Sequence, residues 1–149
     1  MTQIFNTNFE ISRRLLLLLS IHKRELDIDV ITALDLITTY SKNYDLGSEN
    51  LHGDNSLSFS EITIRRELIS KAIKELAFKN LIDVVNTSNG FIYKVNENGQ
   101  KLCNSMNSIY SIEYTNEAKR LNEKLSNKTN QEIIKYVNNH STKRRIRYE

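Results

Sequence analysis

The side chains with the widest chemical repertoire in this chain are three histidines (His22, His52 and His140), one cysteine (Cys103) and a scatter of carboxylates. The histidines lie far apart and in different segments, with no HExxH, no HxH and no Cys/His cluster. A lone cysteine permits neither an internal disulfide nor a CxxC metal site, and fits a reducing compartment. Asp27 and Asp29 read as carboxylates at a helix start, where the helix dipole favours negative charge. There is no Gly-rich phosphate loop and no G-x-S-x-G elbow. The residue types and spacings therefore predict no catalytic centre, no metal and no cofactor; the chain reads as a non-enzyme.

Two other constellations point to binding. Leu51-His52-Gly53-Asp54-Asn55 reads either as a polar turn or as a partner-contact loop, with His52 and Asp54 two residues apart in a long irregular stretch. One His and one Asp alone do not make an acid/base pair. Arg65 and Arg66 open a basic series that continues with Lys71, Lys74 and Lys79. Residues 58–79 hold five bases against three acids. Such a helix is either a DNA-reading element with its exposed side chains in the major groove or a solvated face with i,i+4 pairs. The segment Asn86–Gly90 carries no Arg or Lys, which speaks against a DNA grip there.

The elements that must position these residues follow from caps and periodicity. Thr7 and Glu10 form a capping box, predicting a helix from Asn8 to about His22. Its run Leu15–Leu19 puts apolar groups on every side, so this helix is either central or faces a partner as well. Asp27 caps a second helix with Ile28, Ile31, Leu34 and Ile37 on one stripe. Residues 41–57 lose periodicity and form a long loop. Ser58 and Glu61 open a third helix to about Lys79, and Asn80 suits its C′ position. Leu81–Val85 and Phe91–Val95 are extended runs around Asn89-Gly90, a hairpin signal because both residues tolerate positive φ. Asn96 caps a helix beginning at Glu97. Tyr114, Ala118, Leu121 and Leu125 then form a stripe, either packed on the same domain or offered to a second copy. Thr129 and Glu132 start a last short helix with Ile133, Ile134 and Val137.

Three helices, a hairpin and a further helix form the order of a winged-helix domain, so the fold class is mainly α with a small β-hairpin. The expected division is a winged-helix domain at 1–112, a C-terminal helical arm at 113–140, and a disordered basic tail at 141–149. Charge supports the last boundary. Of 149 residues with net charge +3, the final seven hold Lys143, Arg144, Arg145 and Arg147 against one acid, which leaves residues 1–142 neutral. The four tail bases are the candidate nucleic-acid contacts. A neutral body argues against the fold itself gripping a duplex. Met1–Phe9 has neither a basic n-region nor an apolar core, and the Leu15–Leu19 run is too short for a span. No secretory signal or membrane segment is expected, and the location is taken as cytoplasmic.

The motif order narrows the reading. Ile4-Phe5-Asn6, Ala33-Leu34-Asp35, Asn50-Leu51-His52-Gly53-Asp54-Asn55 and Ile64-Arg65-Arg66-Glu67-Leu68-Ile69 resemble the middle components of ABC-three-component (ABC-3C) anti-phage systems. That group includes the small subunit of Lamassu-type defence. The resemblance covers about residues 4–112, and many members carry a proline where this chain has Gly53. It implies a non-catalytic adaptor that bridges an SMC-like ABC ATPase to an effector, often a nuclease, and controls effector activation. DNA would be sensed through the assembled complex. Under this reading Leu51, His52, Asp54, Asn55, Arg65 and Arg66 are the candidate partner contacts, and the C-terminal helices offer a possible homodimer. The alternative is a winged-helix transcription regulator.

Overall fold

A computed structural model describes residues 7–53 and 59–148, with side chains placed over 7–53 and 62–140. The described residues form helices α1 (Asn8–Ile21), α2 (Ile28–Thr39) and α3 (Phe59–Phe78), strands β1 (Ile82–Thr87) and β2 (Gly90–Val95), and helices α4 (Glu97–Ser105), α5 (Ile109–Lys124) and α6 (Asn130–Tyr148). The chain is thus mainly helical with a two-stranded antiparallel hairpin, in the expected order.

The helix starts are set by the residues that local rules single out. Thr7 Oγ1 accepts from Glu10 N–H at 3.2 Å, Asp27 from Val30 N–H at 2.9 Å and Asn96 from Gly99 N–H at 2.9 Å. At α6 the box is reciprocal: Thr129 Oγ1 accepts from Glu132 N–H, and Glu132 Oε1 accepts from Thr129 N–H. Each such cap satisfies amide donors that the helix itself cannot. The expected box at Ser58 and Glu61 lies outside the described side chains. Helix α3 ends on a Schellman motif. Asn80 adopts φ 57°, Leu81 N–H donates to Leu76 O and Asn80 N–H donates to Ala77 O.

The core lies between α1 and α2, with α3, α5 and α6 packed around them. Leu15, Leu16, Leu17, Leu18 and Leu19 are all buried, so the leucine run is covered on every side within this one chain. Full burial of each leucine contributes about 1.5–3 kcal/mol. Helix α2 is enclosed just as fully, from Val30 through Tyr40. Its threonines cap their own backbone: Thr32, Thr38 and Thr39 donate to the carbonyls four residues earlier.

The hairpin differs from expectation in its turn. Thr87 pairs with Gly90, leaving Ser88 and Asn89 as the loop. Gly90 has φ 112°, whereas Asn89 is not in the left-handed region. Asn89 N–H donates to Thr87 Oγ1, which itself donates to Gly90 O, so this side-chain-closed turn needs positive φ at one residue only. Gly99 is required by close packing. A Cβ there would sit 2.1 Å from Leu81 O, because the start of α4 rests on the α3–β1 junction.

The C-terminal part corrects the expected division. Helix α5 begins at Ile109, so no boundary falls at 112, and α5 and α6 pack onto α1 and α2 instead of forming an arm. Tyr114, Ala118, Leu121, Leu125, Ile133 and Val137 are buried within the chain, so this stripe is covered by its own domain. Arg24 fastens the α5–α6 turn by donating to Leu125 O, Lys128 O and Asn130 Oδ1. Helix α6 runs on to Tyr148, so the backbone of the basic segment is helical where a disordered tail was expected. Residues 41–53 also fold back on the body, burying Tyr44, Leu46 and His52.

Candidate functional site

Three motif residues, Asp35, His52 and Arg65, come together in the interior. Asp35, on the enclosed helix α2, is fully buried and accepts from Arg14 Nε and Nη2 of α1, both at 2.9 Å. It also accepts from Arg65 Nη1 of α3 at 3.3 Å and from Tyr114 Oη of α5 at 2.8 Å. Arg65 Nη1 donates to Thr39 Oγ1 at 2.7 Å, and its guanidinium lies 5.3 Å from the Tyr40 ring centre. Beside this node, His52 Nε2 shares a 2.6 Å hydrogen bond with Tyr110 Oη, and the His52 ring meets Tyr40 edge-on. One carboxylate thus ties four helices together, and the 50s loop closes over them.

The electrostatics follow from that geometry. Burial alone would push the Asp35 carboxyl upward, but the Arg14 and Arg65 cations and the Arg14 and Tyr114 hydrogen bonds reverse this and hold it at about 2. Burial likewise opposes the Arg14 charge, and Asp35 outweighs it, keeping the guanidinium firmly protonated. Burial pushes the Tyr114 and Tyr110 phenols upward. His52 is held neutral, down at about 3, first by burial and then by Arg14 and Arg65.

These placements revise the candidate contact surface. His52 and Arg65 are interior groups, 7% and 6% exposed, and Leu51 is half-buried. Asp54 and Asn55 lie outside the described residues. Arg66 does reach the surface, where Nε donates to Asp29 at 2.7 Å. Asp29 thus sits in the first turn of α2, as expected, and also pairs with α3. Lys143, Arg144, Arg145 and Arg147 lie in the last turns of α6, with side chains outside the described set. Glu75 of α3 accepts from Asn8 Nδ2 of α1.

The partners that sequence reasoning missed are Arg14, Tyr110 and Tyr114. The available signal was a charge inside an apolar helix: Arg14 directly precedes the leucine run, and Asp35 sits among Ile31, Leu34 and Ile37. Among the described residues no group of three His, Cys, Asp or Glu side chains could hold a metal ion. The node has a carboxylate but no solvent access. Its chemistry is structural.

Adjacent arginines on α3 should then behave very differently. Arg66→Ala removes an exposed ion pair and is expected to change stability by less than about 1 kcal/mol. Arg65→Ala takes a buried cation from a shared carboxylate and is expected to cost about 3–5 kcal/mol. Urea titration of the two variants checks this, and equal effects would contradict the placement.

Where the node is closed, several apolar side chains are open. Phe78 is 93% exposed at the end of α3, Ile109 is 78% exposed at the start of α5, and Phe9 lies beside the groove between α1, α3 and α4. Phe91 and Val84 share one face of the hairpin, since Asn86 pairs with Phe91 and Val84 with Tyr93. Among the described residues no helix is long and apolar enough to cross a membrane.

The family model for the ABC-three component (ABC-3C) system Middle Component 2 matches residues 4–146. No curated protein and no solved structure matches the chain.

Proposed function

The chain belongs to the ABC-3C Middle Component 2 family, and from that premise we propose that it is a non-catalytic adaptor subunit of an ABC-3C defence system. It bridges an SMC-like ABC ATPase to an effector, such as a nuclease, and controls effector activation, as in Lamassu-type defence. The family match over residues 4–146 carries this reading. The interior placement of Asp35, His52 and Arg65 supports the absence of catalysis, because these groups are spent on holding helices together. The exposed phenylalanines and isoleucines support protein contact.

The fold fits a winged-helix core, with α3 in the recognition position and β1–β2 as the wing. Tyr93 N–H donates to Leu26 O at 2.9 Å, so the segment between α1 and α2 lies against the hairpin as the first strand of such a wing would. DNA reaches the chain through the assembled complex, in the cytoplasm. The regulator alternative is not favoured, since Arg65 is interior and Arg66 is held by Asp29.

Co-expression with the co-encoded ATPase and effector tests the adaptor reading. Co-elution of all three on size exclusion is expected, with loss of phage protection when this chain is deleted. A chain that elutes alone beside both partners would overturn it.

A further inference from the structure

The groove between the end of α2, the end of α5 and the start of α6 combines an apolar floor with a cationic rim. It encloses about 440 Å³, and its floor is apolar, formed by Ile37, Leu125 and Ile133. Lys124, Lys128 and Lys135 stand on its rim against one carboxylate, Glu132. That carboxylate is engaged in capping α6 through Thr129 N–H. Lys124 reaches toward a neutral acceptor, Leu46 O at 3.5 Å. Among the described residues none of the three lysines forms an ion pair with a carboxylate. By contrast, the charged residues of the groove between α2, α3 and α6, Asp29 and Arg66, neutralise each other.

We propose that this groove docks an acidic amphipathic segment of another component of the same complex. The inference rests on the adaptor reading and names its contact surface. The occupant must satisfy two conditions together: aliphatic or aromatic side chains for the floor and carboxylates for the rim. Nucleic acid offers phosphates to the lysines but no aliphatic group for the floor. The sequence of the same helix stays basic after Asn139, with Lys143, Arg144, Arg145 and Arg147 before its end at Tyr148. The groove walls are firm. Tyr136 Oη donates to Tyr44 O at 2.6 Å and Arg24 locks the α5–α6 turn, so the site is formed before the partner arrives.

The test uses fluorescent overlapping peptides covering the co-encoded ATPase and effector, titrated against the full-length chain. An acidic peptide with apolar residues should bind. Lys124→Glu with Lys135→Glu should weaken it about tenfold, from two reversed rim charges. Reversing acidic residues of that peptide to lysine should restore binding to the double variant. Both lysines are exposed, so the unfolding temperature should hold; Lys124→Gln with Lys135→Gln serves if it does not. If the chain assembles with its partners but every peptide and the whole complex ignore these substitutions, the groove assignment is wrong. Loss confined to a 20-base-pair duplex would make the surface a nucleic-acid site and overturn it as well. Failure of the unmodified chain to assemble with either partner defeats the adaptor reading instead.

Discussion

Replacing Asp35 with alanine is expected to be the most damaging single change in this chain, costing about 3–5 kcal/mol because it leaves buried guanidinium charge without its carboxylate. Arg14 directs Nε and Nη2 at Asp35, while Arg65 and Tyr114 donate to the same group. None of these groups can turn to water without opening the contact between α1 and α2. Total stability of a domain is about 5–15 kcal/mol. The loss therefore corresponds to a fall in melting temperature of roughly 6–20 °C, at 2–4 °C per kcal/mol for this size. A second variant separates charge from packing. Arg14→Met, Asp35→Leu and Arg65→Met together remove all three charges and should recover much of the loss, as replaced buried ion networks do. A melting temperature for Asp35→Ala within two or three degrees of the parent would show that the node is not what holds the helices.

The same node shows how far the sequence can be read. The caps at Thr7, Asp27, Asn96 and Thr129 are local chemistry, where a side chain meets an amide two or three residues away, and all four stand where their neighbours place them. The node is long-range. Asp35 meets residues 21, 30 and 79 positions away, and no periodicity encodes which helices cross there. Arg65 and Arg66 make the point most sharply. They are sequence neighbours of identical type, yet about 100° of helical rotation sends one to a buried carboxylate and the other to the surface. The motif blocks of residues 33–35, 50–55 and 64–69 were legible as a set, but the meeting of Asp35, His52 and Arg65 inside the fold was not. A stripe such as Tyr114–Leu125 announces that it needs covering; whether its own chain or another copy covers it is decided by the α5–α6 turn that Arg24 fastens.

The histidines carry the second large expectation, an early loss of stability in mild acid. His52 is held at about 3, by burial first and then by the Arg14 and Arg65 cations, with Asp35 partly offsetting them. His22 is 3% exposed, and neither ring nitrogen has a partner in hydrogen-bond geometry. Burial and then Arg24 bring it down to about 4, with the Asn122 side chain acting the other way. An unfolded histidine titrates near 6.5. Between that value and the folded ones, the unfolded chain binds more protons than the folded chain, so stability is complete above pH 6.5 and falls as pH falls. At pH 5 each histidine has withdrawn about 2 kcal/mol, roughly 4 kcal/mol together. Asp35 adds a separate loss only lower down, since its contribution is complete above the ordinary carboxylate value and disappears as pH falls toward about 2. Urea midpoints at pH 7.5, 6 and 5 measure the first phase. His22→Leu removes a buried imidazole with no partner in good hydrogen-bond geometry, so it should leave stability at pH 7.5 unchanged or higher and halve the drop to pH 5. His52→Phe should halve the drop as well, but with a penalty of about 1–3 kcal/mol at every pH, because Tyr110 Oη loses its imidazole partner. A stability profile that stays flat down to pH 4.5 would mean that both rings are solvated when folded, contrary to their burial against the α1–α2 core.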